Sequence, residues 1–218
     1  MPDFSILTNN IDMYLEGFKY TVMSSVIALI GSFILGVILA VMRIAPIRIL
    51  NWIGSAFVEF VRNIPLVLIA FVFYFALPVI GITLNGFVAG TVTLTVYTAS
   101  FIAEVIRAGI LSVAKGQMEA ARSSGLTYVQ AMYYVVLPQA MKIVIPPLGN
   151  QFLNLVKNSS ILGIIAGTDL MYQGDLISTK TFVTFDVYIF VGMFYLILTI
   201  PLSMLVRYLE KRLAKEAV

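Results

Sequence analysis

Long apolar runs separated by short polar breaks organise the chain. Residues from about 20 to 42 contain no charge, and at 1.5 Å per residue such a run crosses a hydrocarbon core of roughly 30 Å. Comparable runs follow at about 50–80, 87–111, 148–166 and 187–206. The pattern predicts an all-α integral membrane protein with five transmembrane helices in a single domain over residues 1–218. Along the first run Ala28, Ser32, Gly36 and Ala40 recur every fourth residue, a stripe that lets a neighbouring helix pack closely in lipid. The second run is unusually long, contains Glu59 and Arg62, and is marked at its far end by Pro78 and Gly81. Pro138 and the pair Pro146-Pro147 predict a disruption of helical bonding just before the fourth run.

Polar positions inside the runs are patterned. Thr93, Tyr97, Ser100, Glu104 and Arg107 follow i, i+3, i+4 spacing and make one polar stripe along the third run. In the fourth, Asn150, Asn154 and Asn158 repeat every fourth residue, with Gln151 and Lys157 beside them and Ser159-Ser160 next. Polar groups in a bilayer face protein or water. Two readings follow for each set: interhelical hydrogen bonds that glue spans together, or the lining of a pathway for a polar solute. Glu59 and Arg62 share one helical face, either as a mutually satisfied ion pair or as part of an inner gate.

Composition agrees with the pattern, since 60% of residues are hydrophobic and only 11% charged, with a mean hydropathy of +0.98. That lies far above the apolar share of soluble domains, roughly 45–50%. The absence of Cys and His removes thiolate chemistry and the commonest metal ligand. A net charge of +3 comes from Lys and Arg at the flanks of the runs, which fits anionic lipid rather than nucleic acid. Met1 to Lys19 includes Asp3, Asp12 and Glu16 and lacks a basic n-region, so the first run is expected to be retained rather than cleaved.

Lys and Arg also set an orientation. They concentrate between the first and second runs, between the third and fourth, and at the C-terminus, against Lys19 and Lys180 on the opposite side. The positive-inside rule then places the N-terminus outside, the C-terminus inside and residues 116–138 in the cytoplasm. No G-x-x-x-x-G-K-[ST] motif occurs, and no cluster of carboxylates and metal ligands suits hydrolysis. Neither catalytic nor metal-binding residues are therefore assigned.

The polar interruption from Gly116 to Pro138 supplies the most specific signal. Glu119-Ala120-Ala121 is followed by three residues, Gly125, nine residues, and Val135-Val136-Leu137-Pro138. This spacing resembles the signature of ABC-importer permeases, E-A-A, three residues, G, nine residues, I-x-L-P, with Val135 in place of Ile. Gly116-Gln117 resembles the polar amino acid branch, and Arg62-Asn63-Ile64-Pro65-Leu66 its R-x-x-P-L. The branch's A-Y-x-[AS]-E is only loosely matched, because Tyr97 lies further from Glu104.

The resemblance implies a type I ABC-importer permease fold in a prokaryotic cell (inner) membrane. The segment of about 116–125 would be the coupling helix, with Gly116, Glu119, Ala120, Ala121, Gly125, Leu137 and Pro138 serving contact with an ATPase. It also implies a second permease subunit, two cytoplasmic ATPase subunits that bind ATP and Mg, and an extracellular or periplasmic substrate-binding protein. The substrate path would draw on Glu59, Arg62, Tyr97, Ser100, Glu104, Asn150, Asn154, Lys157 and Asn158. Where the family commonly reads K-D-T-S this chain has Lys157-Asn158-Ser159-Ser160, and loss of that carboxylate shifts the expected cargo from cationic amino acids toward glutamine or glutamate. The competing class is an ion-gradient-driven secondary transporter or channel using Glu59, Glu104 or Lys157. Such proteins carry more spans and an internal repeat, neither of which is evident here.

Overall fold

The computed structural model describes residues 3–215, which are 88% helical. A short α1 (Phe4–Asn9) leads into α2 (Ile11–Ile44), then α3 (Arg48–Arg62) and α4 (Leu66–Phe71). From α4 the chain continues through a π-helical turn, Val72–Ala76, and a 3-10 turn, Leu77–Ile80. Then follow α5 (Gly86–Ser112), α6 (Lys115–Ser123), α7 (Tyr128–Ala131), a second π-helical turn (Met132–Val136) and α8 (Leu137–Asn158). A 3-10 segment, Ser159–Ile165, precedes α9 (Leu170–Thr181) and α10 (Phe185–Lys215).

The pair α2 and α5 forms the spine. Ala28, Ser32, Gly36 and Ala40 are all buried, while Ile30, Ile34, Ile38 and Val41 on the other side of α2 are exposed. That division is what a helix with one side against protein and one against lipid requires. A Cβ added to Gly36 would sit 2.6 Å from Ile102 Cγ2, and one on Gly31 2.9 Å from Thr95 Cγ2. Tyr20 meets Phe87 with ring centroids 5.5 Å apart, and Arg43 reaches Glu104. Contacts thus advance along both helices together, so α2 and α5 run parallel and the chain must cross back between them through α3 and α4.

Among the described residues four helical stretches are long and apolar enough to span a membrane, Ile11–Ile44, Gly86–Ser112, Tyr128–Ile165 and Phe185–Arg212; α3 and the stretch Leu66–Ile80 make a fifth if counted as one broken span. The second run, expected as one span over 50–80, is broken in the structure: the helix stops at Arg62 and turns by 104° before Leu66. The cause is Pro65, whose ring disfavours helical geometry at Ile64 and which lacks an N–H to donate. The expected disruption at Pro146-Pro147 is also corrected, because both prolines lie inside α8. Val144 and Leu148 pack against Ile102 on either side of them, and that packing holds the helix across the missing hydrogen bonds. Between the fourth and fifth spans stands α9. Its N-cap is Asp169, whose carboxylate accepts from Met171 N and Tyr172 N, both at 3.1 Å. Leu170 and Ile177 of α9 join Tyr14, Val187 and Phe190 in a core that ties α2 to α10 at the end away from α6.

Candidate functional site

Three groups of residues stand out: at the junction of α2, α3 and α5, between α5 and α8, and around α6. The first is an ion network where α2, α3 and α5 meet. Arg43 Nη1 donates to Glu104 Oε2 at 2.6 Å and Nη2 to Glu59 Oε1 at 3.2 Å. Arg107 reaches both Glu104 oxygens, at 3.0 and 2.7 Å, while Arg62 lies 3.9 Å from each glutamate and over the ring of Phe101 at 5.3 Å. Three guanidiniums therefore share two carboxylates, and Glu104 is the centre. The pair Glu59–Arg62 read from the sequence exists, but each glutamate has a nearer partner. Arg43, whose side chain is 7% exposed, bridges both glutamates at hydrogen-bond distance. The legible signal was the surplus of Arg at one depth, with Arg43, Arg62 and Arg107 against Glu59 and Glu104.

The second group is a cavity of about 230 Å³ lined by Tyr97 and Phe101 of α5 and Gln151, Asn154 and Asn158 of α8. Two amide-bearing turns face an aromatic wall in which Tyr97 and Phe101 lie 4.9 Å apart. Amides both donate and accept, so this lining suits a small polar solute. Phe101 also carries Arg62 on its ring, which joins the cavity to the ion network. Lys157 is not in this group, and the sequence grouping of Lys157 with the amides divides here. It lines a separate cleft with Leu153, Thr199, Ser203 and Arg207, between α8 and α10. Asn150 is exposed and turns back to Pro146 O at 3.5 Å. Ser100 and Thr93 are buried and donate within their own helix, to Tyr97 O and Ala89 O, both at 2.7 Å. Gln151, noted in the sequence only as a neighbour of the ladder, lines the cavity.

The third group is α6 and its surroundings. Gly125 follows the helix with φ +91°, Leu126 N donates to Ala121 O at 3.2 Å and Gly125 N to Arg122 O at 3.1 Å. This is a Schellman ending, which needs a left-handed residue where glycine stands. Thr127 and Gln130 then form a capping box that starts α7. Arg122 turns back to Leu126 O at 3.1 Å instead of pairing with Glu119. Glu119 and Ala120 are exposed, nothing lies within 4 Å of a Cβ placed on Gly116, and Ala121 is buried. Inwardly, Met118 packs on the cluster of Ile110, Val136 and Ala140 that also receives Ile44 and Leu137. Gln139 Nε2 donates to Gln117 Oε1 at 3.3 Å. Pro138 comes just after the π-helical turn Met132–Val136, and the helical stretch Tyr128–Ile165 continues through it. α6 thus packs directly on the ends of α2, α5 and α8.

A bundle of spans with lipid-facing flanks, a polar cavity between two spans and an exposed helix packed on the span ends define a membrane permease. The chain belongs to the family described as binding-protein-dependent transport system inner membrane component, which matches residues 13–215. It is 70% identical over 211 residues to the probable glutamine ABC transporter permease protein GlnM of Bacillus subtilis (strain 168), covering 97% of this chain and 98% of that one. It is 34% identical over 213 residues to the glutamine transport system permease protein GlnP of Escherichia coli (strain K12), covering 97% of both. Among solved structures, that of an amino acid ABC transporter with histidines superposes with a TM-score of 0.91 at 33% identity, covering 97% of this chain and 99% of that one. These matches identify an ABC transporter permease and lend no support to a secondary transporter.

Proposed function

We propose that this chain is the single-domain transmembrane subunit of an importer that brings glutamine into a prokaryotic cell across its inner membrane. The observation that carries the cargo is the 70% identity over nearly the whole chain to a probable glutamine permease. Asn158, Asn154 and Gln151 around the cavity support it, because amides complement a carboxamide without a fixed charge. The path runs past Tyr97, Asn154 and Asn158 to the network of Arg43, Glu59, Arg62 and Glu104, which holds the inner end of the spans together. Lys157 and Asn150, also expected on the path, lie off that cavity.

Energy comes from outside the chain. Two ATPase subunits bind and hydrolyse ATP with Mg, α6 docks on them through Glu119 and Ala120, and a second permease subunit completes the pathway. A binding protein delivers cargo at the α9 end. This requires α6 in the cytoplasm, which the placement of Arg43, Arg48, Lys115, Arg122, Arg207, Lys211 and Arg212 supports. The decisive experiment is uptake in proteoliposomes containing the permease, its ATPase and its binding protein, with labelled glutamine, glutamate and arginine. ATP-dependent accumulation of glutamine above the other two is expected; preference for arginine overturns the cargo assignment. Impermeant maleimide should label Thr179→Cys but not Ser123→Cys in intact cells, and the reverse pattern overturns the orientation.

A further inference from the structure

We infer that α3 is a lipid-seated helix lying in the plane of the membrane interface at the α6 end, and that its apolar face is covered by phospholipid. The argument begins with direction. The link from α2 to α3 is Ala45, Pro46 and Ile47, so α3 starts at the depth where α2 ends. It meets the next helical stretch, Leu66–Ile80, at 104°. With Leu66–Ile80 crossing the membrane, α3 runs nearly parallel to the surface. Its contacts agree, for a Cβ on Gly54 would meet Met42 and Arg43, Val58 packs on Leu39, Ala40, Ala99 and Ala103, and Arg62 stands beside Glu104. Two turns of helix therefore advance little along α2 or α5.

The residues sort as such a position demands. Arg48, Asn51, Ser55, Glu59 and Arg62 recur at three- and four-residue intervals along one arc. Beside this arc runs an apolar one, from Trp52 at its edge through Ile49 and Phe60 to Ile53, with Ile49, Trp52 and Phe60 exposed by 71, 73 and 68%. An apolar side of that size is out of place in water. A polar arc, an apolar arc with Trp, and Arg at the leading end together match the headgroup boundary, where the ring sits among upper acyl chains and the guanidinium among phosphates. Because the polar arc also carries Glu59 and Arg62, the lipid seat sets the height at which the ion network is held.

The chain has one Trp, so its fluorescence reports this helix alone. The full-length protein is reconstituted in vesicles of phosphatidylcholine brominated near the headgroup, in the upper acyl chain or at the chain ends. Trp52→Phe identifies the signal by abolishing it. Upper-chain bromine is expected to lower emission roughly twofold, and chain-end bromine much less, as for a ring in the interface. Equal emission in all vesicles overturns the inference and means that protein, such as a second copy of this chain, covers the face. Strongest quenching from the chain ends also overturns it, since α3 would then penetrate the hydrocarbon core.

Discussion

Glu104 is the residue on which the ion network depends, and replacing it with Gln tests this quantitatively. It accepts from Arg43 at 2.6 Å and from Arg107 at 2.7 and 3.0 Å, with Arg62 at 3.9 Å. The side chain is 23% exposed and that of Arg43 only 7%. Removing one partner of a buried ion pair costs about 3–5 kcal/mol, and the partial exposure places Glu104→Gln near the lower end, about 3 kcal/mol. Glu59 is 55% exposed, so Glu59→Gln falls in the surface range, below about 1 kcal/mol. Arg43→Gln lies between them, because Glu104 keeps Arg107. At roughly 2–4 °C per kcal/mol for a chain of this size, the thermal midpoint should fall by about 6–12 °C in Glu104→Gln. The assay is thermal unfolding of the purified permease, with Arg43→Gln and the double variant completing a cycle. A coupling of about 1–3 kcal/mol between positions 43 and 104 is expected. Equal losses from Glu59→Gln and Glu104→Gln, or a cycle that closes to zero, would refute the placement of Glu104 at the centre.

Three further outcomes follow. Gly125→Val forces a branched side chain to φ +91° at a cost of about 1–3 kcal/mol, so it should unravel the end of α6 and uncouple ATP hydrolysis by the assembled complex from loaded binding protein, with Gly125→Asn nearer the native response. Gly36→Leu places atoms where Ile102 Cγ2 already lies 2.6 Å from an added Cβ, and should abolish stable insertion of folded protein, measured by size-exclusion yield in detergent. Asp169 lies outside the spans, and burial pushes its carboxyl up to about 6 against opposing hydrogen bonds from Tyr172 and Met171. A folded-state value above the unfolded one stabilises fully below pH about 4 and loses that contribution as pH rises through about 6. Thermal midpoints of the native chain should therefore fall between about pH 4 and 6 and level off above that, by the equivalent of about 3 kcal/mol at most, while Asp169→Asn, which retains the cap, stays flat by comparison.

The apolar runs, the small-residue stripe on α2 and the spacing around α6 were legible in the sequence because each is local. Span length depends on consecutive residues, the lipid and protein sides of α2 on a period of about four, and the Schellman turn on one glycine. Family membership was legible for the same reason, since the signature is a set of separations along the chain. The tertiary structure decided what separations cannot encode. Arg43 became the bridge of the network because α2 ends beside α3 and α5, a meeting between residues distant in sequence. Lys157 parted from Asn154 and Asn158 because α8 has different neighbours on its two sides, α5 for the amides and α10 for the lysine. Pro146 and Pro147 stayed helical because packing on Ile102 outweighs the lost hydrogen bonds. Pro65 sits inside the second apolar run, which reads as one continuous span, and only the structure, with its 104° bend, divides that run into two helices of different direction.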